Sequence, residues 1–143
     1  MSRPIYESPG DRDAERAVIE SVCSRWKATY IKLPKAYNVD YLISTRKGPR
    51  AWIEVKCRGR WYDEMLISLN KVYAGQRHAE MTGLPFIMMY CVGDDIRWID
   101  LTNASLRGES GLKLSVGGRT DRGDSQDVEP VVMIPVEMLM QLR

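Results

Sequence analysis

The chain has little of what a metal-stapled, exported or membrane-spanning protein needs. It holds three cysteines and one histidine in 143 residues, and Cys23, Cys57 and Cys91 form no CxxC pair. That argues against a structural zinc site or a disulfide framework, so zinc is not expected as a cofactor and the thiols read as small hydrophobes. A bilayer-spanning helix takes about 20 apolar residues. The longest run here, LPFIMMYCV at 84–92, is about half of that and contains Pro85, so no membrane partner is expected. The opening MSRPIYESPGDRD has neither an apolar core nor a small-residue cleavage site. The expectation is a cytoplasmic protein, in the host cytoplasm if its source is viral. No internal repeat is present.

What is there is a globular composition, 44% hydrophobic and 28% charged, in a chain long enough to bury a continuous core as one domain, 1–143. The net charge of +2 hides an uneven distribution. Between residues 32 and 60, eight bases (Lys32, Lys35, Arg46, Lys47, Arg50, Lys56, Arg58 and Arg60) meet two acids, Asp40 and Glu54. A local basic surround of that kind suits a surface that meets a polyanion.

Hydrophobic spacing predicts a helix over 11–27, capped by Asp11 or Asp13, with Val18, Ile19, Val22 and Trp26 on one stripe. Alternating segments then predict strands at 29–33, 38–44 and 51–57, the last two joined as a hairpin through a three-residue loop, 46–48. A short strand at 65–69 precedes a helix over 70–82, stopped by Gly83 and Pro85. Strands at 85–92 and 95–101 follow as a hairpin. The Gly-rich stretch 103–130 reads as a long flexible loop, with Arg119 and Arg122 solvated, and 131–143 as a C-terminal strand and helical turn. The fold class is thus α/β (α+β), a mixed sheet flanked by helices in the order αβββαβ with extra C-terminal strands.

The stretch AWIEVKCRGRWY, 51–62, carries the chemistry. A strand sends alternate side chains to opposite faces, so Trp52, Glu54 and Lys56 share one face, and Ile53, Val55 and Cys57 the other. With the 46–48 loop, residues whose numbers add to 94 are opposite, and Asp40 faces Glu54. Side chains opposed in this way have Cβ atoms about 5 Å apart, close enough to share a divalent cation. Without a metal or a proton between them the two carboxylates repel. Glu15 lies within roughly 60° of the apolar stripe of the first helix, where a carboxylate wants a cation, whereas Glu20 is about 140° away and solvated. Leu69, Val72, Tyr73 and Gln76 share a stripe on the second helix, which brings Gln76 toward the same site or leaves it a backbone-bonded flank amide.

Glu15, then Asp40, then IEVK with Glu54 and Lys56, then a helix bearing Gln76, resembles the PD-(D/E)xK nuclease superfamily over roughly residues 10–92. The chain looks most like archaeal-type Holliday junction resolvases and small phage-encoded nucleases. Val39 stands where the family name has proline. The resemblance implies a restriction-endonuclease-like core within about 11–101 and a Mg2+-dependent endonuclease, with Mn2+ able to substitute. The implied catalytic set is Glu15, Asp40, Glu54, Lys56 and Gln76. The implied metal ligands are Asp40, Glu54 and the Val55 carbonyl, with Glu15 binding a second ion or orienting a water. Lys35, Arg46, Lys47, Arg50, Arg58, Arg60 and Lys71 are expected to meet DNA. Trp61 and Tyr62 are expected either to stack on an opened base or to pack on the core. Symmetrical nicking of a junction implies a homodimer. The alternatives are a superfamily nuclease with another target and a DNA-binding module without catalysis.

Overall fold

The computed structural model describes residues 9–106, 111–118 and 128–143. Helix α1, Pro9–Trp26, leads to strands β1, Thr29–Lys32, β2, Tyr41–Thr45, and β3, Gly48–Cys57. A 3-10 turn at Lys35–Tyr37, which alternation did not anticipate, separates β1 from β2. Strand β4, Glu64–Ser68, precedes helix α2, Leu69–Thr82, and strands β5, Phe86–Val92, and β6, Asp95–Asp100. Three strands close the chain: β7, Lys113–Gly118, β8, Val128–Pro135, and β9, Met140–Gln141.

These elements make a mixed α+β architecture with a six-stranded sheet ordered β1-β2-β3-β5-β6-β9 and a second sheet ordered β4-β8-β7. Among the described residues only the central β3–β5 pair is parallel, and the other pairings are antiparallel. A parallel pair needs a long crossover, and β4 with α2 supplies it. The central strands are covered on both faces, which accounts for the unbroken apolar run of β5. On one face Val18, Ile19 and Val22 of α1 pack with Ile53, Val55 and Met89. On the other, Val72 and Ala79 of α2, with Ile67, Val132 and Ile134 of the second sheet, pack with Trp52, Phe86 and Met88. The alternation expected for β3 therefore holds, with one helix on each side. Among the described residues no helix is long and apolar enough to cross a membrane.

The hairpin reaches the expected register by another route. Tyr41, Ile43 and their neighbour Leu42 face Ile53, Ala51 and Trp52, but Thr45 pairs with Gly48 across a two-residue turn, and a bulge at Ile43/Ser44 absorbs the difference. Helix α1 spans Pro9–Trp26, so Asp11 and Asp13, the expected caps, both lie inside it. The expected loop over 103–130 is corrected in part: Lys113–Gly118 is a strand at the edge of the second sheet. Its exposed Leu114 and Val116 leave only a weak alternation beside the glycines. Arg119 and Arg122 lie outside the described residues.

The buried face of α2 runs through Val72, Gly75 and Ala79, while Tyr73, expected on the apolar stripe, is exposed. Gly75 sets this orientation, because a Cβ there would sit 2.3 Å from the Phe86 ring. Gly75→Ala is expected to cost about 1–3 kcal/mol through overpacking, read as a lower urea midpoint at unchanged slope. An unchanged midpoint would mean that the helix can stand further off the sheet.

Candidate active site

Strand β2 begins where Tyr41 pairs with Ile53, so Asp40, the residue just before it, comes beside Glu54. Asp40 Oδ2 accepts the Val55 N–H at 3.0 Å, and Oδ1 meets Lys32 Nζ at 3.3 Å. The N–H and C=O of one strand residue leave along the same edge, so the Val55 carbonyl also faces the edge that Asp40 occupies. Glu54 is 2% exposed, in the middle of the sheet. Its Oε2 is 2.7 Å from Lys71 Nζ. Its Oε1 is buried and has no hydrogen-bond partner among the described residues.

Burial pushes the Glu54 carboxyl up to about 7; Lys71 works against that rise and the Asp40 charge adds to it. Burial also lowers the Lys56 ammonium, against the pull of Glu54. Lys56 pairs in register with Tyr90, whose hydroxyl donates to the Leu66 carbonyl at 2.8 Å. For Lys71 burial alone would lower the pKa, but Glu54, Asp40 and more weakly Glu15 outweigh it, and the ammonium is held above its ordinary value. Two carboxylates and three ammonium groups thus meet at one end of β3.

Glu15 is half-buried on α1, while Glu20 is exposed and accepts the Tyr30 hydroxyl at 3.1 Å. The Glu15 charge is felt at Lys71 and Cys57. Among the described residues no three His, Cys, Asp or Glu side chains converge as a metal-binding group, so Glu15 does not form a tight trio with Asp40 and Glu54. The donors that fit a divalent cation are Asp40, the Val55 carbonyl and Glu54. Hard cations take oxygen ligands, and a buried carboxylate oxygen without a hydrogen-bond donor is one ready to accept a cation.

Gln76, counted in the implied catalytic set, takes instead the other place expected of it, a backbone-bonded flank amide. Its amide donates to the Leu101 and Ala104 carbonyls at 2.9 and 3.1 Å, tying α2 to the chain after β6. Helix geometry places it roughly 140° around α2 from Lys71, the residue that does reach Glu54. Lys71, expected only to meet DNA, is the side chain the sequence reading undervalued. A signal was present: it lies four residues before Gly75, on the face that presses against the sheet.

The basic residues divide into two groups. Arg46, Lys47 and Arg50 sit at or near the hairpin tip, where Arg50 Nε bonds Thr45 Oγ1 at 3.1 Å. The strand rise from Gly48 to Glu54 puts that tip roughly 20 Å from the carboxylates. Arg58 and Arg60 follow β3 directly and are exposed, and Lys35 lies in the 3-10 turn before Asp40. Trp61 donates to Asp95 at 2.9 Å, and the Arg97 guanidinium stands 4.2 Å from its ring. That fastens Trp61 onto β6, partly buried against the core. Tyr62 stays 46% exposed, with Arg60 over its ring at 4.4 Å.

Over residues 1–142 the chain matches the family described as "Phage putative PDDEXK endonuclease". No curated protein matches it. Among solved structures it is similar to Hjc of Archaeoglobus fulgidus, a Holliday junction resolvase from an archaeal hyperthermophile. The two share 15% sequence identity with a TM-score of 0.56, over 87% of this chain and 86% of that one. At that identity the likeness is one of fold.

Proposed function

The chain belongs to the phage PDDEXK endonuclease family, and from that premise we propose that it is a divalent-metal-dependent endodeoxyribonuclease that cuts branched DNA of the four-way-junction kind as a homodimer. The observation that carries the metal-dependent reading is the buried, donor-free Oε1 of Glu54 beside Asp40. The likeness in fold to the archaeal resolvase supports branched over linear DNA.

Asp40, Glu54 and the Val55 carbonyl would hold Mg2+, with Mn2+ as a substitute. When bound, such an ion lowers the pKa of the attacking water and offsets charge on the phosphate. Lys56, on the same face as Glu54 and two residues further on, orients the water and donates toward the charge that builds on the phosphoryl oxygens. Glu15 acts from α1 on the charge of this cluster, and it helps to position water at the rim. Exposed Arg58 and Arg60, with Lys35, grip phosphates next to the scissile bond, and Tyr62 offers a ring face to a base. Gln76 has no role in the reaction and acts as a structural tie. Arg46 and Lys47, about one duplex diameter away, and Arg50, roughly 13 Å away along β3, meet a second arm of a branched substrate. Two-fold symmetric cutting requires two such sites, one from each copy.

The test uses an end-labelled four-way junction, a matched linear duplex and a single strand, each with Mg2+ and with EDTA. Paired Mg2+-dependent nicks confined to the junction are expected, leaving 5′-phosphates. Cutting of the linear duplex at an equal rate would end the junction reading. Cutting that persists in EDTA would end the metal reading. A protein that stays monomeric at micromolar concentration with junction bound would end the homodimer reading.

A further inference from the structure

The charge balance of the site has a consequence for Lys71. Asp40 and Glu54 carry two negative charges, and Lys32, Lys56 and Lys71 bring three positive ones to them. Three ammonium groups against two carboxylates already leave one positive charge in excess, and a divalent cation would add two more, so an ammonium group has to leave the carboxylates. Lys56 is fixed on the central strand β3, beside Tyr90. Lys32 pairs with Asp40 from the edge strand and is already 44% exposed. Lys71 makes the direct 2.7 Å ion pair to Glu54, comes from the first turns of α2, and keeps 31% of its side chain open to solvent, so it has a path out.

We infer that Lys71 is a two-position residue: in the metal-free protein its ammonium holds the place of cationic charge at Glu54, and loading of the site releases it to the DNA backbone. The inference rests on the metal-dependent reading of Asp40 and Glu54 proposed above. It separates Lys71 from an ordinary phosphate-binding lysine, whose contribution would not depend on metal. It also gives the site a reason to load metal and DNA together. The ammonium displaced by the cation finds a new anionic partner only when phosphate is present, so each ligand favours the other.

The experiment is a calorimetric titration of Mg2+, and separately of Ca2+, into the full chain without DNA at pH 8.5. Wild type, Lys71→Gln and Glu54→Gln are compared. Lys71→Gln is expected to bind the ion at least about tenfold more tightly, the size of effect that one nearby charge has on a carboxylate. Loss of Lys71 also favours protonation of Glu54, which weakens metal binding, so a tighter Kd cannot arise from the proton. Binding to Lys71→Gln that equals or is weaker than wild type, while Glu54→Gln abolishes it, overturns the inference and leaves the metal site standing. No Glu54-dependent binding in wild type overturns the metal reading and the inference with it.

A second arm measures junction DNA affinity by fluorescence anisotropy, in Ca2+ and in EDTA. Lys71→Gln should weaken binding several-fold in Ca2+ and leave it unchanged in EDTA. An equal loss in both conditions would make Lys71 an ordinary phosphate contact. If Lys71→Gln does not fold, Lys71→Met serves in both arms. Lys71→Arg, which keeps the charge at Glu54, should show no gain in metal affinity, and a gain there would overturn the inference.

Discussion

Asp40→Asn and Glu54→Gln are each expected to lower junction cleavage at saturating Mg2+ by about 10³-fold or more, a barrier increase of about 4 kcal/mol, while DNA binding is expected to hold or improve. The two effects part because the carboxylates do opposite things for the two steps. For cleavage, they are the donors that would hold the cation against the phosphate. For binding, they are negative charges facing a polyanion, and removing one lowers repulsion. Glu54 is the more demanding position, since it is 2% exposed and its Oε1 has no other partner to turn to. Glu20→Gln on α1 is the control, because Glu20 is exposed and engages Tyr30. Single-turnover cleavage and anisotropy on the same preparations check the pair of results. Wild-type cleavage by Glu54→Gln would remove the site assignment, and a large loss with Glu20→Gln would show that the wrong glutamate of α1 had been chosen.

Asp40 and Glu54 could be read as neighbours from the chain alone because strand registers are arithmetic. The turn residues fixed the sum of paired numbers at 94 for Tyr41 and Ile53, and that survived a turn one residue shorter than expected because a bulge restored the offset. Alternation likewise assigned Glu54 to one face and Val55 to the other, as the two packed clusters show. Helix α2 was harder to read. An apolar stripe through 69, 72, 73 and 76 and one through 72, 75 and 79 differ by a small rotation, and hydrophobicity favours the first because Gly75 scores as nothing. Packing favours the second, since that glycine is what lets α2 approach Phe86. The rotation took Gln76 to the carbonyls after β6 and brought Lys71 to Glu54. Trp61 was ambiguous for a different reason: its partners, Asp95 and Arg97, are far off in sequence, and nothing local announces them. Strand β7 lies on a sheet edge, where a side chain need not be buried to be paired, so its pattern is faint.

Glu54→Gln is also expected to stabilise the metal-free protein at pH 8, on the order of 3 kcal/mol, with the gain fading as the pH falls to 4. The carboxyl titrates near 4.5 in the unfolded chain and at about 7 in the folded one, where burial is the main cause. Below 4.5 it is protonated in both states and adds no pH-dependent cost. Between 4.5 and 7 the unfolded chain gives up its proton while the folded chain keeps it, so stability drops as the pH rises. Above 7 the folded chain must carry the buried charge, and the cost is constant, each pKa unit being worth about 1.4 kcal/mol. An amide at this position carries no charge to desolvate, and its oxygen can still accept from Lys71. Urea unfolding of both proteins in EDTA at pH 4, 6 and 8 checks the trend, and a variant no more stable than wild type at pH 8 would contradict it. Mg2+ should then reverse the order at pH 8. Wild type gains RT ln(1 + [Mg2+]/Kd) from the ion, whereas the variant has lost a ligand and gains little. The instability that the buried Glu54 charge imposes on the metal-free fold and the affinity that a bound cation would draw on come from the same carboxylate oxygens, so a substitution that relieves the first would remove the second.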